Sequence, residues 1–124
     1  MKFRLSSLSD HIYSLVRAVV GFSFLLHGAQ KLFPVLGTDG TVDLLSRLGF
    51  AGVIELVGGA LIMVGLWTPW VAFITSGEMA SAYFIAHYPR GFWPIANGGE
   101  AAVLYCFVFL YFASHGSEIG RAHV

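Results

Sequence analysis

The stretch Arg17–Lys31 reads R-A-V-V-G-F-S-F-L-L-H-G-A-Q-K. It sits inside an apolar run from Leu15 to Leu36, long enough to cross a bilayer as a helix. Within that run it carries Arg17, His27, Gln30 and Lys31. At about 100° per residue, Lys31 falls ~40° from the direction of Arg17, and His27 ~40° beyond Lys31. The three basic groups therefore share one side of a helix, while Phe22, Leu25 and Phe33 point elsewhere, towards lipid. Ionisable groups inside a span are costly and face a bundle interior or a wet cavity. The stretch predicts a membrane helix that turns a polar stripe towards partner helices, and the rest of the chain is read as the supply of those partners.

Composition supports this. Charged residues make up 11% of the 124 and hydrophobic ones 56%, against about 25% charged in an ordinary soluble domain. The length accommodates four spans with short loops. A formal net charge of zero gives no support to a nucleic-acid role. A single cysteine, Cys106, excludes a disulfide framework, a CxxC redox motif or a cysteine-rich metal site within one chain. Met1–Leu8 has two basic residues but no apolar core or cleavage site, so the first span is expected to remain in the protein.

In chain order, residues 1–14 are polar, with Phe3, Leu5, Leu8 and Ile12 able to lay a turn or two of helix in the interface. Spans are expected at about 13–34, 48–67, 69–87 and 98–114. Pro34 ends or kinks the first. Asp39-Gly40 marks a turn in the loop 37–47. In span two, Glu55 is followed by Gly58-Gly59, a face on which helix backbones can approach closely. Thr68-Pro69 reads as a cap and first helical residue, which makes spans two and three antiparallel neighbours. Residues 88–97 hold Pro89, Gly91 and Pro94 and are read as irregular. Their Tyr88, Phe92 and Trp93 suit the headgroup level. The fold class expected is all-α, an integral membrane antiparallel four-helix bundle and a single domain. Lys2, Arg4 and Arg121 outnumber Arg47 and Arg90 by one, which favours cytoplasmic termini.

Up-and-down topology then sorts the ionisable groups. The ends of spans one and three and the starts of two and four lie on one side. That side collects His27, Lys31, Glu55, His87, Asn97 and Glu100, which form the candidate binding site. Arg17 and Glu78 remain in the other half and are expected to pair as a structural ion pair, because an unpartnered intramembrane charge is unfavourable. Two cations against three carboxylates leave one acid to be protonated or one histidine charged. The alternative reading is a buried polar network that sets helix register. His27 and His87 lie on different helices without a His-x3-His or cysteine partner, so no metal site is expected.

Several motifs resemble one family. Arg17, Gly21, His27, Gly28 and Lys31 lie in span one. Glu55, Gly58, Gly59, Trp67 and Thr68 follow, then Met79, His87 and the run Asn97-Gly98-Gly99-Glu100 with Tyr105. In order and spacing these are similar to the DoxX family of small bacterial four-helix membrane proteins. The resemblance spans nearly the whole chain. It implies a multi-pass protein of the inner membrane associated with quinone-linked oxidoreductases, thiosulfate:quinone oxidoreductase among them, or with oxidative-stress defence. Quinone is the cofactor this implies, and a soluble redox partner supplies what the chain lacks, since no flavin, haem or iron–sulfur motif is present. A homo-oligomer in the bilayer is compatible with it. Whether the chain is itself an enzyme stays open. The other function class is non-enzymatic: a small-solute carrier or a membrane scaffold for partner proteins.

Overall fold

The computed structural model describes residues 5–34 and 43–115. The expected turn at Asp39-Gly40, Phe3 and the flanking charges Lys2, Arg4 and Arg121 lie outside the described residues. A 3-10 turn at Leu5–Leu8 runs into α1, Ser9–Leu32. Helix α2 spans Arg47–Val64 and α3 Thr68–Ala82. A π turn at Tyr83–His87 and a 3-10 turn at Tyr88–Arg90 extend α3. One turn, α4 at Pro94–Asn97, precedes α5 at Glu100–His115. The described residues are all helix and connection.

Helices α1 and α2 are the two long and apolar enough to cross a membrane by length and composition, the first counted with its leading 3-10 turn. The sequence predicts four membrane-length helices; α3 and α5 are shorter. Helix α3 and its π turn together rise about 30 Å, and the sixteen residues of α5 about 24 Å. The start of α5 is delayed by Gly98, whose φ of 80° is a left-handed conformation that stops helix propagation. Pro94 opens a helical turn in the segment read as irregular, since its fixed φ suits a first helical position.

Glycines set the packing of α1 on α2. A methyl group on Gly21 would lie 2.5 Å from the Met63 amide nitrogen, and one on Gly59 2.5 Å from that of Leu25. Gly28 likewise abuts the backbone of Leu56 and Gly52. Gly21 and Gly28, and Gly52 and Gly59, are each seven residues apart, so the close approach recurs after two turns. This is how helices pack where small residues let backbones meet. Gly58 turns instead to Thr75 of α3.

Helix α2 begins with Ser46, whose hydroxyl accepts from the Gly49 amide at 3.0 Å. It ends with Gly65 in the left-handed region, the Gly65 and Leu66 amides donating back to Ile62 and Leu61, a Schellman end. The chain then reverses within Gly65-Leu66-Trp67. Trp67, φ 55°, holds the cap position in place of Thr68, which instead opens α3 and is fully buried. So short a reversal uses left-handed backbone at the cap, not the extended backbone from which a threonine caps.

Helix α3 packs on α5, and α5 closes the bundle against α1. Phe24 meets Phe109 at 4.7 Å between ring centroids, and Tyr13 meets Phe112 at 5.5 Å. Ser23 and Tyr105 share a hydrogen bond of 2.5 Å. Phe24, Phe109, Phe112 and Ile62 form the buried centre.

Candidate functional site

The tight turn between α2 and α3 determines which groups meet. Glu55 lies eleven residues before Leu66 and Glu78 twelve after it, so antiparallel helices bring both to one level. On α1, the stem of Lys31 passes over Gly52, where a Cβ would stand 3.0 Å from that of Lys31. From there Lys31 Nζ donates to Glu55 Oε1 at 2.7 Å. Glu55 is 1% exposed and Lys31 24%, which fits a lysine whose apolar stem is buried and whose head reaches a wetter place.

This pair lines a cavity of about 580 Å3. His27 and Lys31 enter it from α1, Glu55 from α2, Glu78 and His87 from α3 and its π turn, and Tyr105 from α5. His27 stands edge-on to Tyr105, ring centroids 5.7 Å apart. Phe24, Ile54 and Met79 add apolar wall, and Arg47 stands at the rim, exposed. The exposed side chains Leu48, Phe50 and Ile85 also border the cavity, so it opens on the outer face of α2 and α3. Chemically it offers a cationic donor, two carboxyls and two imidazoles within largely apolar walls.

Four of the six residues assigned to the site from sequence border this cavity: His27, Lys31, Glu55 and His87. Asn97 and Glu100 do not. Asn97 is buried and holds its own loop together: its amide nitrogen donates to Tyr83 Oη at 3.0 Å and to the Gly91 carbonyl at 2.8 Å. Its Oδ1 accepts from the Gly99 amide at 2.8 Å, and its carbonyl lies 3.4 Å from His87 Nδ1. Asn97 thus positions His87 and the start of α5. Glu100 is exposed in the first turn of α5, where a negative charge suits the helix dipole.

The expected pairing of Arg17 with Glu78 is not formed. Arg17, 5% exposed, donates from Nε to the Ile62 carbonyl at 3.0 Å. Its guanidinium covers Gly65, and it lies 5.8 Å over the Tyr13 ring. A guanidinium at a helix C-terminus meets the unsatisfied last carbonyls and the negative end of the dipole. The backbone of α2 therefore serves where a carboxylate was expected. Glu78 is left to the cavity, which its carboxyl lines together with that of Glu55.

Sequence reasoning missed Glu78 and Tyr105 as cavity residues, and the π turn. Equal distance from the Gly65–Trp67 turn would have placed Glu78. Tyr105 follows Ala101 and Ala102 by one turn, on the same side of α5. The π turn has no residue signature; such turns are frequent at functional sites.

Comparison with known proteins gives a consistent assignment. The DoxX family model matches residues 12–88, a range that takes in α1 from Ile12 onward, α2, α3 and every charged residue of the cavity. A protein of Haemophilus influenzae (strain ATCC 51907 / DSM 11121 / KW20 / Rd), described as an uncharacterized protein, is 44% identical over 119 residues, covering 91% of this chain and 89% of its own. No solved structure matches. With its apolar helices and the matched motifs, the chain belongs to the DoxX family of membrane proteins.

Proposed function

We propose that the protein is a quinone-interacting subunit of the bacterial inner membrane, redox-linked through a soluble partner, with the 580 Å3 cavity as its headgroup site. The observation that carries this reading is the Lys31–Glu55 pair inside that cavity, which His27 and the rings of Phe24 and Tyr105 also line. Quinone carbonyls need hydrogen-bond donors, which Lys31 Nζ and a ring N–H of His27 supply. The planar ring needs apolar and aromatic walls. An isoprenoid tail needs an exit to lipid, and the border formed by Leu48, Phe50 and Ile85 offers one. The volume falls within the range of small-ligand pockets, about 300–1,000 Å3. Tyr88, Phe92 and Trp93, all exposed and in edge contact in sequence, suit the membrane–water interface at the same end of the bundle. In this reading the soluble partner supplies the electrons for quinone reduction. Both termini are placed in the cytoplasm, on the charge balance of the loops.

Equilibrium binding of a short-chain ubiquinone analogue to the protein in lipid nanodiscs tests this. Saturable binding is expected, weakened at least tenfold by Lys31→Met and unchanged by Glu100→Gln, which lies off the cavity. Absence of saturable binding to the folded wild type would leave the carrier and scaffold readings. Equal loss in Glu100→Gln would remove the cavity as the site.

A further inference from the structure

Glu55 and Glu78 stand at one level of the bundle and line the same cavity, their carboxyls close enough to interact. Among the described residues, Glu55 Oε2 and Glu78 Oε1 are both buried and meet no donor. An ionised carboxylate only accepts hydrogen bonds. Two of them in contact either repel or hold a proton between them, as like-charged acids sharing a site do.

The surrounding groups decide between these. From α1, Lys31 Nζ is bonded to Glu55 Oε1 at 2.7 Å, and His27 borders the cavity near Tyr105. From α2, Arg47 is exposed at the rim, about 12 Å along the helix axis from Glu55. His87, at the end of the π turn, is held towards the Asn97 carbonyl. From α5, Tyr105 Oη is engaged with Ser23. With Lys31 cationic, two ionised carboxyls leave the inner cluster one negative charge in excess. One proton makes it neutral, which is the state a membrane interior favours.

We propose that Glu55 and Glu78 share a single proton in the empty cavity, and that on ligand binding this proton turns from the partner carboxyl to a ligand carbonyl, adding a donor to Lys31 Nζ and the His27 ring N–H. The ligand's identity rests on the quinone reading; the proton does not. Lys31 orients the Glu55 side of the pair, and Glu78 lines the cavity on the α3 side. The site then selects hydrogen-bond acceptors while the proton is present and loses that preference when it leaves.

Infrared spectroscopy of the ligand-free protein in nanodiscs tests this directly. Wild type at neutral pH is expected to show one protonated-carboxyl C=O band that shifts in D2O. Glu78→Gln and Glu55→Gln should each lose it, because the remaining acid then faces Lys31 alone and ionises. Glu100→Gln should keep it. No protonated-carboxyl band in wild type would overturn the proposal, and would do so even if a glutamine variant failed to fold. So would a band that survives in both variants. The spectrum is recorded without quinone, so a present band with no quinone binding refutes only the functional assignment. Quinone binding without the band refutes only the shared proton.

Discussion

Removing the two ends of the Lys31–Glu55 pair should have unequal effects on stability. Glu55 is 1% exposed, Lys31 24%. Lys31→Met leaves Glu55 buried without its cation and pressed against Glu78, so the loss should approach the ~3–5 kcal/mol seen when a buried pair is broken. Glu55→Gln leaves a lysine with an exit to the cavity and a second carboxyl, Glu78, to turn to. Its loss should be smaller, about 1.5–3 kcal/mol, that of one hydrogen bond to a charged group. The double variant Lys31→Met/Glu55→Gln removes both charges and should lose less than Lys31→Met alone. The coupling energy is therefore favourable and of the order of 2 kcal/mol, within the range found for close pairs. Reversible unfolding in mixed detergent micelles, followed by helical circular dichroism, measures all four proteins. Losses that simply add, or a Glu55→Gln loss as large as that of Lys31→Met, would refute the assigned geometry.

Further outcomes follow from the packing. Gly28→Ala forces a methyl group into the Leu56 backbone, whereas a Cβ at Gly77 meets nothing within 4 Å. The first should cost about 1–3 kcal/mol as overpacking, the second should be neutral to slightly stabilising, and equal effects in the same unfolding assay would argue against the glycine seam. Arg17→Met should cost about 1.5–3 kcal/mol through the Ile62 carbonyl it bonds, and its loss should add to that of Glu78→Gln. A coupling above ~0.5 kcal/mol between Arg17 and Glu78 would restore the direct pair.

Much of the architecture was legible because hydrophobic length and turn chemistry both act locally. The tight reversal before Pro69, the small faces at Gly58-Gly59 and the gathering of His27, Lys31 and Glu55 follow from spacing and antiparallel order. Arg17 was misread for a physical reason. A carboxylate is visible in a sequence as a counter-charge, whereas the carbonyls at a helix end are not, yet they answer a guanidinium as well. Assigning Arg17 to Glu78 then removed Glu78 from the cavity, so one error produced the other. Asn97 was misread because its type suits a ligand contact, while its position next to Gly98 and Gly99 suits a loop that closes on itself. Glu100 starts a helix rather than continuing one, and its side of the helix could not be assigned before that start was known.

The glycine seam also explains where the cavity lies. Between α1 and α2 the backbones touch, and no ligand space remains. Helix α2 meets α3 closely at Gly58 and Thr75, near the turn that joins them. Beyond that contact the facing residues are again small, Ala51, Ser81, Ala82 and Ala102, but here they border open volume. Small side chains thus serve contact at one end and emptiness at the other. Filling the empty end should separate function from folding. Ala82→Leu adds three carbons at a half-buried position that packs on the core and borders the cavity, so the cavity is the open volume available to it. Its stability in the unfolding assay should stay within ~0.5 kcal/mol of wild type, as expected away from tight packing. Binding of the short-chain ubiquinone analogue should fall at least tenfold, equivalent to about 1.4 kcal/mol. An Ala82→Leu variant that binds as wild type would show that the ligand does not occupy the cavity beside Glu78. A variant that loses several kcal/mol of stability would show that the wall is packed and the volume is not available.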